Sequence, residues 1–265
     1  MSDRLTGIAL TWRVERRDGI ALGLTSHDRD LRIDGFDYRA APGMTPSAVK
    51  RSDDLSADTM EVGGALTGAA ITERALLAGR WDGARVAVAA VDWTSGTVIA
   101  ELGEGRIGAV EVADNGFTAE LAGLAALLDR PVAEATAPEC RAELGDVRCR
   151  VALAPRRRFA RVVAGDGAIL TLDMAEPTAN AYGGGRLRWF GGGNGGLDSA
   201  VAASSGDRVT LRSPPAEAPE GALVELIEGC DKSLATCAGR FANAANFRGE
   251  PYLPGIDLLT RYPGG

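Results

Sequence analysis

Residues 8–35 read IALTWRVERRDGIALGLTSHDRDLRIDG, and two Asp-Gly steps inside this stretch decide the fold class. Asp18-Gly19 and Asp34-Gly35 each separate short apolar runs, and glycine supplies the positive φ that a tight hairpin turn demands. The runs they separate, 8–14, 20–24 and 31–33, are strand-length, rich in Ile, Val, Leu and Trp, and bounded by Gly or Asp. Residues 86–91 and 98–102 repeat the pattern. Two helices are expected between and after them. Residues 72–77 open on Thr72 and Glu73 and close on Gly79, and residues 117–128 carry Leu121, Leu124, Leu127 and Leu128 at spacings of three and four.

The segment DRPVAEATAPE at 129–139 has two prolines and little apolar content, which marks a connector outside regular structure. Beyond it, residues 159–163, 168–172, 185–190, 209–211 and 223–227 again read as strands between Gly, Asp and Pro. The expected architecture is mainly β, in two β-rich domains with a few short helices: an N-terminal domain over 1–135 and a C-terminal domain over 136–265. A chain of 265 residues accommodates two domains at about 150 residues each. The glycine-rich run GGGNGG at 191–196, which follows Gly183 to Gly185, lacks the Lys-Ser or Lys-Thr ending of a phosphate loop. It reads as a hairpin tip.

Bulk composition narrows the function. With 45% hydrophobic and 25% charged residues, the chain is an ordinary folded protein and not a disordered or fibrous one. Its 36 acidic residues outnumber 29 dispersed basic ones, which argues against a dedicated nucleic-acid surface. No signal-peptide core is present, and no stretch approaches the roughly 20 apolar residues of a spanning helix. Synthesis and retention in the cytoplasm, without a membrane anchor, is the expectation. The chain has one histidine, His27, so a zinc hydrolase built on two or three histidines is excluded. Any Ser-His or Cys-His nucleophile would have to use that residue. Its neighbours Ser26, Asp28, Arg29 and Asp30 are those of a polar turn between strands.

Four cysteines remain. Cys140 and Cys149 form C-x8-C, Cys230 and Cys237 form C-x6-C, and about eighty residues separate the pairs. In a reducing compartment such thiols are ligands or buried apolar groups more often than stable disulfides. Four thiolates can close a tetrahedral zinc site or hold an iron-sulfur cluster. The spacers are wider than the two to four residues usual around zinc, which leans toward the larger group. Gly145-Asp146 and Gly229 permit the sharp turns and close backbone approach a cluster needs. Free buried thiols and a disulfide pair stay open on spacing alone.

Further strings carry a resemblance. Leu24 to Leu31 (LTSHDRDL), Asp34-Gly35, Tyr38, Glu61-Val62-Gly63-Gly64, Trp81-Asp82-Gly83-Ala84, Val91-Asp92-Trp93, Gly105-Arg106-Ile107-Gly108 and Ala119-Glu120-Leu121 are followed by a second set. That set comprises Cys140-Arg141-Ala142-Glu143-Leu144-Gly145-Asp146, Cys149, Cys230-Asp231-Lys232-Ser233, Cys237, Phe241-Ala242-Asn243, Asn246-Phe247-Arg248-Gly249 and Pro254-Gly255. In this order they resemble the phage conserved tail-tip or baseplate hub family, which includes the hub protein of the gene transfer agent and is similar in role to the lambda tail tip protein L. Glu250 departs from the family, whose members often carry an apolar or aromatic residue there.

The resemblance implies a structural tail-tip protein, not an enzyme, assembled into the particle as a homotrimeric ring. It implies an iron-sulfur cluster, [4Fe-4S] by preference, held by Cys140, Cys149, Cys230 and Cys237. Its partners would be the distal tail protein and the central fibre or spike (megatron-like) protein, with passing DNA as a transient contact for Arg156-Arg157-Arg158. Two other classes are compatible with parts of the sequence. An iron-sulfur redox or electron-transfer module would need a second cofactor motif, which the chain lacks. A tail-tip cell-wall hydrolase would need paired carboxylates such as Asp53-Asp54 in a setting that raises one pKa, and nothing in the sequence supplies it.

Overall fold

Side chains alternate along Ile8–Glu15 (β1) so that Leu10, Trp12 and Val14 join one apolar cluster while Ala9 joins another. Successive strand residues point to opposite faces, so this sheet covers apolar groups on both sides. The computed structural model describes residues 7–40, 45–46, 59–65, 71–113, 116–123 and 134–253. The chain divides into two compact units, Met1–Pro131 and Val132–Gly265.

In the first unit β1 pairs with β2 (Ala21–Thr25), β3 (Leu31–Ile33) with β4 (Phe36–Ala40), and β5 (Thr45–Pro46) with β6 (Thr59–Ala65). With β7 (Arg85–Asp92), β8 (Thr97–Ala113) and β9 (Gly116–Ala122) they form one nine-stranded sheet in the order β3-β4-β2-β1-β7-β8-β9-β6-β5. Both Asp-Gly steps are the hairpin turns their composition predicts, with φ of +85° at Gly19 and +80° at Gly35. One pairing, β2 with β4, is parallel. The helix at Glu73–Leu77 (α1) forms as expected. Its N-cap Thr72 hydroxyl accepts from the Ala75 N–H at 3.1 Å, satisfying a donor the first turn leaves open, and Leu76 packs with Ile71 and Trp81 against Trp12 and Val86.

The expectation of a helix over 117–128 is wrong across its described part, because Gly116–Ala122 is strand β9; residues 124–128 lie outside the described residues. β9 is hydrogen-bonded on both edges, to β6 and to β8. Phe117, Ala119 and Leu121 are its buried face. That alternation of period two competed with the leucine spacing and won, because two strands offered partners for its backbone. β8 also runs well beyond the expected 98–102. Gly103 reads as the end of that run, yet β7 takes the first part of the strand and β9 the last. The strands β4, β5 and β6, and a later strand at Asp198–Ser205, were not anticipated.

The second unit holds a closed barrel of six strands in the order β10-β11-β14-β13-β12-β15. These are β10 (Arg157–Asp166), β11 (Ile169–Leu172), β12 (Arg186–Trp189), β13 (Asp198–Ser205), β14 (Arg208–Leu211) and β15 (Leu223–Ile227). Alternate residues fill its interior: Val162, Leu170, Leu187, Trp189, Val201, Val209, Val224 and Leu226. Closure removes the free sheet edges. The glycine-rich run at 191–196 connects β12 to β13. It is pinned at buried Asn194, whose Nδ2 donates to the Glu217 carbonyl at 2.9 Å and whose Oδ1 accepts from the Glu217 N–H at 3.0 Å.

Leu170 is fully buried in this barrel and Leu77 is 73% exposed. Leu170→Ala is therefore expected to lower stability by about 2–5 kcal/mol, and Leu77→Ala to stay within about 0.5 kcal/mol of the wild type. Urea denaturation of the two variants measures this, and equal midpoints would contradict a packed barrel interior.

Candidate metal centre

β10 and β15 are neighbours in the barrel and run antiparallel, with Arg157 opposite Ile227. The segment entering the barrel and the segment leaving it therefore meet at one end. Cys140 and Cys149 lie on the first of these. Cys230 follows β15, and Cys237 sits on the short helix Leu234–Gly239 (α2). Residues about eighty positions apart are brought together by one ladder.

Backbone contacts then lace the two segments into each other. The Cys140 N–H donates to the Lys232 carbonyl at 2.8 Å, and the Arg141 N–H to the Arg248 carbonyl at 3.0 Å. Asn243 Nδ2 donates to the Cys149 carbonyl at 2.6 Å. Each cysteine of the first pair is thus linked to the loop of one cysteine of the second. Glycine permits the closest approach. A Cβ on Gly229 would lie 2.0 Å from the Gly183 carbonyl oxygen, so no larger residue fits without displacing backbone.

All four thiols are free; Cys149 and Cys237 are buried, and Cys140 and Cys230 partly so. Burial pushes the Cys237 thiol up, and the neighbouring sulfurs of Cys140, Cys230 and Cys149 push it further. Burial also raises Cys230, against the lowering effect of the Lys232 N–H, with Cys140 among the contributors. Cys237 thus lies within electrostatic reach of the other three sulfurs, and Cys230 within reach of Cys140. Three of the four sulfurs receive N–H groups: Cys140 from Arg248 N at 3.4 Å, Cys230 from Lys232 N at 3.4 Å, and Cys149 from Asn243 Nδ2 at 3.7 Å. The Cys237 thiol donates to the Asn243 carbonyl at 3.4 Å.

Among the described residues, no three His, Cys, Asp or Glu side chains are grouped as one metal ion would require. The donor set is four sulfurs with no imidazole or carboxylate, which is the chemistry of soft centres. N–H donors directed at cysteine sulfur are what iron-sulfur ligation uses to stabilise the charge on its thiolates. In donor type, four thiols with N–H groups beside three of them, the residues match such a group.

The local scaffold is polar and tightly satisfied. The Asp146 carboxylate accepts from the N–H groups of Glu143 at 3.0 Å, Arg148 at 2.9 Å and Cys149 at 2.6 Å. Burial raises its pKa, but these donors hold it below the usual range. Asp231 does the same for the second loop, accepting from Ser233 N at 2.9 Å and Thr236 Oγ1 at 2.7 Å. Glu250, which departs from the family pattern, has a partner of its own. It forms a two-pronged pair with Arg141, at 2.6 and 2.9 Å, and accepts from the Ala137 N–H at 2.9 Å. These contacts lower its carboxyl to about 2. Glu134 completes the network by pairing with Arg141 and Arg148.

A second network fastens the thiol segments to the barrel. Glu228 binds Arg156 at 2.9 Å and Arg240 at 2.8 Å. Both guanidinium groups lie over Phe241, at 4.6 and 5.0 Å from the ring centroid. Arg240 also donates to the Ala181 carbonyl at 2.8 Å. The run Arg156-Arg157-Arg158 is thus largely engaged within its own unit: Arg157 pairs with buried Glu225 at 3.4 Å, and Arg158 donates to the Pro155 carbonyl at 3.3 Å. In the first unit, His27 occupies the bend after β2. Its Nδ1 accepts from the Arg29 N–H at 3.0 Å and its ring lies 4.7 Å from that of Trp93.

Sequence reasoning identified the four cysteines but missed Asn243, Arg141, Glu228 and Glu250 as their supports. Asn243 and Asn246 stand in strings that carried the resemblance, which was the available signal. Their roles depend on neighbours far away in the chain.

Comparison with known proteins finds two family models and a solved structure. The family described as "Baseplate hub protein, N-terminal attachment domain" matches residues 1–152, and "Phage conserved hypothetical protein BR0599" matches residues 180–257. A chain in the solved structure "Virion of native gene transfer agent (GTA) particle" is 37% identical, with a TM-score of 0.84, over 98% of this chain and 93% of that one. A search of curated proteins finds no match.

Two outcomes are expected. Glu228→Ala strands two arginines over Phe241 and should destabilise the second unit by about 2 kcal/mol, read from its denaturation midpoint; no change would show the network to be idle. Glu250 carries a folded-state pKa below its ordinary 4.5, so its contribution is present above pH 4.5 and is lost as pH falls toward about 2. The protection of the Ala137 N–H, taken relative to intrinsic exchange at each pH, should fall across that window in the wild type and should be low and independent of pH there in Glu250→Gln.

Proposed function

Because the chain belongs to the baseplate hub protein family, we propose that it is a structural part of the tail tip of a phage or gene transfer agent, joining the distal tail tube to the central fibre or spike. The observation that carries this is similarity along nearly the whole chain to a component of a gene transfer agent virion. Three copies form a ring in this reading, with the distal tail protein and the central fibre protein as neighbours and with DNA passing transiently. Among the described residues no helix is long and apolar enough to cross a membrane, which accords with a part built into a particle.

Within this role Cys140, Cys149, Cys230 and Cys237 hold an iron-sulfur cluster, [4Fe-4S] by preference. What supports the reading is that the two cysteine-bearing segments are hydrogen-bonded to each other and that N–H groups are directed at three of the sulfurs. A bound cluster supplies metal–thiolate bonds across a separation of about eighty residues. Such a link restricts the unfolded chain as a long-range cross-link does, and its binding free energy becomes folding free energy. The cluster acts as a clip: the barrel orients the entering and leaving segments, the Asp146 and Asp231 turns aim the thiols, and Glu228 ties them back to the barrel.

Anaerobic purification should yield a coloured protein with iron and acid-labile sulfide in equal amounts. Each Cys→Ser variant should lose that colour and unfold at lower denaturant. Stoichiometric zinc in a colourless protein would retain the hub role and overturn the cluster. Particles lacking this chain should carry tails without a tip by electron microscopy; intact tips would overturn the hub role.

A further inference from the structure

Asn243 touches one cysteine from each sequence pair. Its carboxamide Nδ2 lies 2.6 Å from the Cys149 carbonyl oxygen and 3.7 Å from Cys149 Sγ. Its main-chain carbonyl faces Cys237 Sγ at 3.4 Å, and its N–H donates to the Cys237 carbonyl at 2.9 Å. The orientation of the carboxamide is determined by its other end, since Oδ1 accepts from Asn246 Nδ2 at 2.7 Å. With the oxygen engaged there, the amide nitrogen is turned toward Cys149. The preceding residue, Ala242, sits in the left-handed region at φ +48°, a conformation costly for a residue with a side chain and kept where surrounding contacts demand it.

Cys140 and Cys230 receive main-chain N–H groups, from Arg248 and Lys232, which every residue but proline provides. Cys149 alone among the three receives its donor from a side chain. That donor can be removed without altering the backbone. Donors of this kind orient a ligand and stabilise negative charge on its sulfur, an effect that favours the reduced state of an iron-sulfur centre.

We infer that Asn243, held by Asn246, is the positioning residue of the four-thiol site, and that its carboxamide sets the reduction potential and retention of the centre through Cys149. The inference rests on the cluster reading above. The Asn243 carboxamide donates to the Cys149 sulfur, lowers the charge that sulfur carries, and holds Cys149 against α2. Asn246 acts only through Asn243.

The test compares the full chain, purified anaerobically, with Asn243→Leu, Asn243→Gln and Asn246→Ala. Asn243→Leu is expected to show a more negative midpoint potential and to release iron to a chelator about tenfold faster. Asn246→Ala, which leaves the amide in place but free to turn, should move both readouts the same way by a smaller amount. Asn243→Gln, which keeps the donor, should recover part of the potential. If Asn243→Leu does not fold, Asn246→Ala carries the test alone. A wild-type potential in whichever of these two variants folds overturns the inference and leaves the cluster standing. A wild-type protein without iron and sulfide overturns both, and so separates the two failures.

Discussion

The ladder between β10 and β15 is the constraint on which the second unit depends. It pairs Arg157–Arg161 with Ile227–Leu223 in antiparallel register and so closes the barrel. Closure does more than satisfy two strand edges. Because the ladder joins the first strand to the last, the chain must enter and leave the barrel side by side, and the cysteine-bearing segments flank that point. The entropic cost of bringing distant residues together grows only slowly with loop length, and here the barrel core meets it. Fully buried Leu170, Leu187, Val201, Val224 and Leu226 supply the burial that a four-thiol site could not supply by itself.

Two charged networks carry that constraint out to the sulfurs. Exposed ion pairs contribute little on average, and several here are partly exposed. Their value lies in geometry: Arg141 is gripped at two points by Glu250, and Glu228 is shared by two arginines over one aromatic ring. A planar guanidinium fork held in this way has few alternative positions. The thiol segments are thereby held in place by groups outside the cysteines.

Much of the fold was legible in the chain by itself. Asp18-Gly19 and Asp34-Gly35 demanded hairpins because a turn of that size needs positive φ, a local requirement that no distant contact alters. Thr72 and Gly79 bounded a helix for equally local reasons. The four cysteines were recognisable as a set because few residue types have their chemistry. Residues 116–122 were misread because Leu121 lies in both a helical and an alternating pattern, and only strands β6 and β8 on its two flanks decided between them. Gly103 looked like the end of a strand because the ladders that carry β8 past it are made by residues elsewhere.

The site divides along the same line. Sequence by itself determined that four thiols were present, that they came in two pairs, and that a zinc site of two or three histidines was closed to a chain with only His27. Which cysteine stands beside which loop, why Glu250 belongs where an apolar residue is often found, and what Asn243 touches were decided only by the tertiary structure. The physical reason is one of range. Turn geometry and ligand type are properties of a few adjacent residues, whereas the neighbours of Cys149 and Arg141 come from about a hundred residues away and exist only once β10 has paired with β15.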